Sequence, residues 1–73
     1  MKFSIMDRTG HTEELIATTN EAEVATAMAR FDELVHEHGM VAAKKLGDGT
    51  HKVIRAFDPT ATEVLFVPKL QGG

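Results

Sequence analysis

The beginning of the chain alternates polar and apolar side chains with the two-residue period of a β-strand. Residues 2–5 follow this alternation, and a second short segment, residues 12–18, comes after Thr9-Gly10. A Thr-Gly pair between two short segments is typical of a β-hairpin turn. The pattern therefore predicts a hairpin. An acidic pair followed by an apolar pair interrupts the second segment, so the register is left open.

The next segment carries helix signals. Asn20 is a good N-cap residue, and Glu23 occupies the third helical position, as in a capping box. Apolar residues then recur every three or four positions, which places them on one stripe of a helix facing the core. Gly39 is well placed to end the helix in a left-handed conformation. We therefore predict a helix over residues 21–38. The apolar stripe consists of Val24, Ala27, Met28, Phe31, Leu34 and Val35.

The rest of the chain returns to strand patterns. Residues 40–46 and 51–57 predict a second hairpin around the glycine-rich turn 47–50. Asp58-Pro59 ends that hairpin, because proline has no N–H to donate. Residues 63–67 predict a last strand that is apolar on both faces, which favours a central position in a sheet. We expect this strand to lie beside the first strand and parallel to it.

These elements predict an α+β fold made of one two-layer domain, residues 1–68, in the order β-β-α-β-β-β. A central last strand favours the β-grasp arrangement. A ferredoxin-like unit that lacks one helix has the same element count and remains an alternative. Residues 69–73 are expected to form a flexible C-terminal tail.

Composition and charge narrow the function classes. The chain has 73 residues, no cysteine and a formal net charge of −3. Without cysteine there are no disulfides, thiolate zinc sites or cysteine nucleophiles, which suits a cytoplasmic protein. The acidic balance argues against a nucleic-acid partner, and no apolar run is long enough for a signal peptide or a membrane span.

Candidate catalytic and metal sites are weak. His36 and His38 are two residues apart on the predicted helix, which places them about 200° apart, so they cannot chelate one metal ion together. His11 and His51 could share an ion only if their turns met. The adjacent pairs Glu13-Glu14 and Asp32-Glu33 point apart and do not form a catalytic carboxylate pair. We predict no metal site and no catalytic residues. The basic residues Lys44, Lys45, Lys52 and Arg55 could form a patch for an acidic protein surface if the second hairpin brings them together.

The end of the chain supports a family resemblance. Residues 63–73 read as an acidic-Val pair, an apolar strand, Pro68 and a final Gly72-Gly73. This segment resembles the C-terminus of small sulfur-carrier proteins such as the small subunit of molybdopterin synthase. Residues 1–3 with Thr9-Gly10 and Thr12 resemble the first hairpin of ubiquitin, which belongs to the same β-grasp superfamily.

The resemblance implies a carrier or modifier that is acted on by other enzymes. A partner adenylating enzyme would activate the carboxylate of Gly73, and a thiocarboxylate or thioester would follow, for transfer to a downstream acceptor. Gly72, Leu70 and Pro68 would contact the partner. The protein itself would hold no cofactor and would not be an enzyme, since ATP and Mg²⁺ belong to the partner. The alternative is a non-enzymatic interaction or assembly module, for example a phage-associated one, whose terminal glycines are incidental.

Overall fold

The computed structural model describes residues 1–69 of the chain. Within this part, one helical segment and five strands follow the predicted order β-β-α-β-β-β, so the α+β class is confirmed. The strands are β1 Lys2–Asp7, β2 Gly10–Leu15, β3 Met40–Lys45, β4 His51–Ile54 and β5 Glu63–Pro68. The helix α1 spans Glu21–Asp32 and continues into a π-helical turn, Glu33–Glu37. The second strand ends at Leu15 rather than at residue 18, and the fourth ends at Ile54 rather than at residue 57.

The five strands form one mixed sheet in the order β2-β1-β5-β3-β4. The last strand lies at its centre, as its two-sided apolar pattern predicts. It pairs in parallel with β1, where Ile5 is opposite Phe66, and antiparallel with β3, where Ala42 is opposite the same residue. The strand therefore joins the two antiparallel hairpins, β1–β2 and β3–β4, into one sheet.

Three phenylalanines form the centre of the core between the sheet and α1. Phe3, Phe31 and Phe66 are all 0% exposed. Phe66 contacts the other two rings edge to face, with ring centroids 4.9 Å from Phe3 and 5.6 Å from Phe31. Aromatic pairs in this geometry stabilise the fold beyond the contribution of their buried area. Phe66 therefore anchors β5 both to β1 in the sheet and to α1 in the helical layer.

The start of α1 follows the predicted capping box. The Asn20 side chain accepts a hydrogen bond of 2.9 Å from the Glu23 N–H. The Glu23 carboxylate in turn accepts a hydrogen bond of 2.9 Å from the Thr19 N–H. The first contact satisfies a backbone donor of the first helical turn, and the second holds the residue that precedes the N-cap.

The apolar stripe of α1 differs from the prediction at one position. Met28 was expected in the core, yet it is 46% exposed. The buried residues Ala27, Phe31 and Leu34 set the direction of the stripe. On a helix with 100° per residue, Met28 lies about 90° away from their mean direction, so it sits on the flank of the helix.

Three turns share one hydrogen-bonding motif, an aspartate followed two residues later by a threonine. Asp7, Asp48 and Asp58 each accept, through one carboxylate oxygen, hydrogen bonds from the N–H and the hydroxyl of that threonine at 2.6–3.0 Å. These donors lower the pKa of Asp7 and of Asp48. Asp58 also accepts a hydrogen bond of 2.6 Å from Lys44, and this contact, ahead of the Thr60 hydroxyl and N–H, holds its pKa far below the ordinary value. The turns are therefore stabilised by ionised carboxylates.

Phe66→Ala tests the role of the aromatic centre. Removing a fully buried ring is expected to lower the free energy of unfolding by about 3–5 kcal/mol, most of the stability of a small domain. Val53→Ala, at a position that is 61% exposed, should change it by less than about 0.5 kcal/mol. Urea denaturation followed by circular dichroism measures both. Equal losses in the two variants would contradict the assigned core.

The Asp58 contacts predict acid sensitivity. The ordinary pKa of the group is 3.8, and its folded pKa is lower, so the unfolded chain binds more protons in this range. Stability is thus fully present above the unfolded pKa and falls as the pH drops through the folded value. We expect Asp58→Asn to be less stable at neutral pH and to lose less stability on acidification. Urea denaturation from about pH 7 to about pH 2 measures this difference.

Asp32→Asn is the matched control, because Asp32 is exposed on the helix and makes no side-chain hydrogen bond or ion pair within residues 1–69. Its acid dependence should follow that of the unmodified protein. If Asp58→Asn shows the same acid dependence as this control, the Lys44 and Thr60 contacts do not stabilise the folded state.

Candidate functional site

The predicted tail begins at one end of the sheet. Because β1 and β5 are parallel, both finish at this end, and because β3 runs antiparallel to β5, Met40 lies opposite Pro68. We call the region the exit end, and it consists of Asp7–Thr9, His38–Met40 and Pro68–Lys69. Pro68 and Lys69 are both exposed. Any partner that handles the chain beyond Lys69 would meet this surface.

The end of the helical segment shapes the exit end. The His38 N–H donates a hydrogen bond of 3.1 Å to the Glu33 carbonyl oxygen, which closes the π-helical turn. Gly39 follows with φ +66°, a left-handed conformation that strongly favours glycine. The chain can therefore reverse at once, and Met40 enters β3 directly beside β5.

A first groove of about 500 Å³ lies at the exit end on the helix side of the sheet. Its floor is apolar, and its rim carries more positive than negative side chains. A groove of this composition suits a segment of extended chain with apolar side chains and some negative charge. The lining residues are Ile5, Asp7, Arg8, Arg30, Leu34, His38, Gly39, Met40, Pro68 and Lys69.

Arg30 fixes one wall of the first groove. Its guanidinium donates two hydrogen bonds to the Glu14 carboxylate, Nε to Oε1 at 3.0 Å and Nη2 to Oε2 at 2.7 Å. A third, of 2.8 Å, runs from Nη1 to Glu33. The contact lowers the pKa of Glu14 and raises that of Arg30. The ion pair therefore ties α1 to the edge strand β2.

A second groove of about 320 Å³ adjoins the exit end beside strands β3 and β4. It shares Gly39, Met40 and Lys69 with the first groove, so Lys69 lies between the two. Its other lining residues are mostly apolar, with one arginine at the rim. They are Val35, Val41, Ala42, Val53, Ile54 and Arg55.

We call the face of the sheet opposite α1 the helix-free face. This face has two chemically distinct zones. Near the start of β5, charges alternate across four strands: Lys2 lies 3.3 Å from Glu13 and 3.5 Å from Glu63, and Lys45 lies 3.6 Å from Glu63. Toward the exit end, this face is apolar. By strand register its apolar side chains are Met6, Val41, Ala43, Val53, Leu65 and Val67.

The sequence-predicted site residues fall into two groups. Pro68 is at the exposed end of β5, where it was expected to guide the tail. Leu70, Gly72 and Gly73 lie outside the described residues, so their roles remain predictions.

The other candidate groups are not brought together. His11 lies on β2 and His51 on β4, at opposite edges of the sheet. Four strand spacings, about 19 Å in all, separate these strands, so the two imidazoles cannot share an ion. Glu13 contacts Lys2 and Glu14 contacts Arg30 on opposite faces, as expected for neighbours on a strand. Within residues 1–69, no cluster of three or more histidine or acidic side chains could hold a metal ion.

The expected basic patch is divided between two faces. The register sets Lys44 opposite Lys52 on the helix side, whereas Lys45 is opposite His51 on the helix-free face. Lys44 is paired with Asp58 at 2.6 Å, and Lys45 with Glu63. The hairpin therefore presents Lys52 and Arg55 rather than four clustered cations.

Two structural features are missing from the predictions above, and only the first has a signal in the sequence. The spacing Asp-x-Thr recurs at residues 7–9, 48–50 and 58–60 and marks all three carboxylate-stabilised turns. The contact of Arg30 has no such signal: its side chain is only 30% exposed because it reaches across to Glu14 on β2. Nothing in the local sequence shows which strand an arginine on the helix flank will meet.

Comparisons with protein-family models, with curated proteins and with solved structures find no match to this chain. Within the described residues, no helix has the length and apolar character needed to cross a membrane.

A double-mutant cycle tests the wall of the first groove. Arg30→Met keeps much of the aliphatic stem and removes the charge, and Glu14→Gln removes the carboxylate. We expect each single variant to lose about 1 kcal/mol of unfolding free energy, with the double variant losing less than the sum. The coupling should decrease in about 1 M salt. Urea denaturation of the four proteins measures it.

Arg30→Met with Glu33→Gln is the comparison cycle. Glu33 accepts a single hydrogen bond from Arg30 and is more exposed than Glu14, so its coupling to Arg30 should amount to a few tenths of a kcal/mol. Strictly additive losses in the Arg30–Glu14 cycle would show that this ion pair does not hold α1 to β2.

Proposed function

We propose that this protein is a ubiquitin-like or sulfur-carrier protein of the β-grasp type, and that a partner adenylating enzyme activates the carboxylate of Gly73. The observation that carries the proposal is the place of β5. This strand is central in the order β2-β1-β5-β3-β4 and parallel to β1, and it delivers the chain to an exposed end at Pro68 and Lys69. That order is the one a β-grasp requires.

With this topology, the residues that stabilise the fold come before the residues that would react in the proposal. The buried side chains of β5, Val64 and Phe66, anchor the strand in the sheet. These two anchoring side chains precede Pro68 in the chain, and in the proposal the folded body presents the tail to the partner. A carrier needs this division, because its reactive end must enter the site of another protein while the body stays folded.

The residues of the tail suit that chemistry. Gly72 and Gly73 have no Cβ, so a narrow channel can admit the backbone and a nucleophile can approach the carbonyl carbon without steric hindrance. Leu70 supplies one apolar side chain, and Pro68 restricts the backbone at the start of the tail. In the proposal these three positions, Pro68, Leu70 and Gly72, contact the partner.

The proposed reaction has two steps, both on the partner. A carboxylate oxygen of Gly73 attacks the α-phosphorus of ATP, pyrophosphate leaves, and a mixed anhydride with AMP forms. A sulfur nucleophile, hydrosulfide or a cysteine thiolate of a partner, then attacks the carbonyl carbon, and AMP leaves with the oxygen. The product is a thiocarboxylate or a thioester, ready for a downstream acceptor. ATP, Mg²⁺ and the sulfur nucleophile all come from partners, so this chain is not itself an enzyme.

The alternative proposal is a non-enzymatic interaction module. The apolar zone of the helix-free face favours it, since Met6 is 44% exposed and Val53 is 61% exposed on a face that α1 does not cover. A surface of this kind suits protein contacts. The same surface would serve a carrier during docking, so the two proposals differ in the fate of Gly73 and not in the presence of a partner.

Intact-mass analysis tests the activation of Gly73. The protein is incubated with ATP, Mg²⁺ and each adenylating enzyme of its source organism in turn, with a sulfide donor. We expect one enzyme to give an adenylate and then a product in which one oxygen is replaced by sulfur, or a thioester on the enzyme. Deletion of Gly73 should abolish every product, because the remaining carboxylate no longer reaches the nucleotide.

Asp32→Asn is again the matched control, since it changes an exposed helix residue far along the chain from the tail, and it should react like the unmodified protein. Product formation after deletion of Gly73, or no product with any of the enzymes, would overturn carrier function and favour the interaction module. A native chain that continues past Gly73 without cleavage would overturn it as well.

A further inference from the structure

Strand β4 is one of the two edge strands of the sheet formed by residues 1–69, the other being β2. It pairs with β3 on one side, and no strand among residues 1–69 lies on its other side. Backbone N–H and C=O groups along an open edge can accept a further strand. We call His51–Ile54 together with Arg55 the β4 edge.

The charge of the β4 edge differs from that of the opposite edge. His51, Lys52 and Arg55 are exposed, and within residues 1–69 no ion pair involves Lys52 or Arg55. On β2 the charges are acidic, but Glu13 is paired with Lys2 and Glu14 with Arg30. The chain as a whole carries −3, so a positive edge on it is a local feature that attracts negative charge.

Apolar surface accompanies this charge. Val53 is 61% exposed in the middle of the edge, and Ile54 follows on the helix side. Both line the second groove, together with Val35 from the π-helical turn. A side chain on an added strand could enter this groove beside Val35, and burial of such a side chain would stabilise the complex.

The order of side chains along β4 specifies the complementary strand. The edge reads basic, basic, apolar, apolar and basic from His51 to Arg55. Side chains directly across from one another on adjacent strands interact, so the matching strand reads acidic, acidic, apolar, apolar and acidic. Read in either direction, this is a pair of apolar residues flanked by acidic residues.

We propose that the β4 edge binds an extended segment of a partner protein in which two apolar residues are flanked by acidic residues, and that the segment adds to the sheet as a sixth strand. The proposal is independent of the activation of Gly73, since it uses neither the tail nor an adenylating enzyme. It also distinguishes the two edges of the sheet: Glu13 and Glu14 of β2 are already paired with cations, whereas Lys52 and Arg55 at β4 lie beside an apolar groove and form no ion pair within residues 1–69.

The competing explanation is protection against aggregation. Edge strands in many proteins are short and carry lysine, which prevents pairing with other chains. Strand β4 has 4 residues and includes Lys52, so it meets both criteria. Protection predicts that no extended peptide binds saturably, and the proposal predicts selective binding of an acidic one.

Chemical-shift titration of the ¹⁵N-labelled full-length protein separates these outcomes. The probe is a capped peptide Glu-Glu-Val-Val-Glu-Glu, and its charge-reversed partner is Lys-Lys-Val-Val-Lys-Lys. We expect saturable shifts of amides in His51–Ile54 and of Val35 with the acidic peptide only. Raising the salt from about 0.05 M to about 0.5 M should weaken the binding, because exposed charges are screened.

Two charge-matched variants localise the binding. Lys52→Glu should weaken it at least about fivefold, through loss of one attraction and gain of one repulsion, whereas Arg8→Glu at the β1–β2 turn should leave it unchanged. Both positions are exposed, and circular dichroism checks that each variant is folded. Absence of saturable shifts, equal binding of the lysine peptide, or shifts centred on β2 would each overturn the proposal.

Discussion

The insertion of β5 between β1 and β3 is the constraint on which the rest of the structure depends. Each hairpin alone is a two-stranded ribbon, which is marginal in water. Strand β5 supplies both with a neighbour, and its inward side chains, Val64 and Phe66, are 0% exposed. Phe66 also contacts Phe31 of α1, so the same residue joins the two layers. The sheet order, the burial of the helix stripe and the position of Pro68 all follow from this one strand.

Much of this arrangement could be predicted from local patterns. The capping residues Asn20 and Glu23 fixed the start of the helix, and the two-sided apolar pattern of residues 63–67 placed the last strand at the centre. Both signals reflect interactions over short distances along the chain or burial on both faces, which a sequence displays directly.

What could not be predicted depends on the partners that side chains meet in three dimensions. Met28 has the spacing of a core residue, yet Ala27, Phe31 and Leu34 turn the helix so that it lies on the flank. The π-helical turn, the contact of Arg30 with Glu14 and the division of the lysines between two faces all depend on how the layers dock. At the candidate site, the location of Pro68 was predictable from β5, whereas the two grooves beside it arise from residues distant in sequence.

Among residues 1–69, the central strand is also the last of the five strands to be synthesised. While β5 is still inside the ribosome, the nascent chain holds two hairpins and a helix that cannot yet form a common sheet, because the strand that pairs with both hairpins is missing. Contacts between distant parts of a chain form late and slowly. The sheet of residues 1–69 can therefore close only after β5 has left the ribosome, and chains truncated before residue 63 would keep two separate hairpins that chaperones or proteases could recognise.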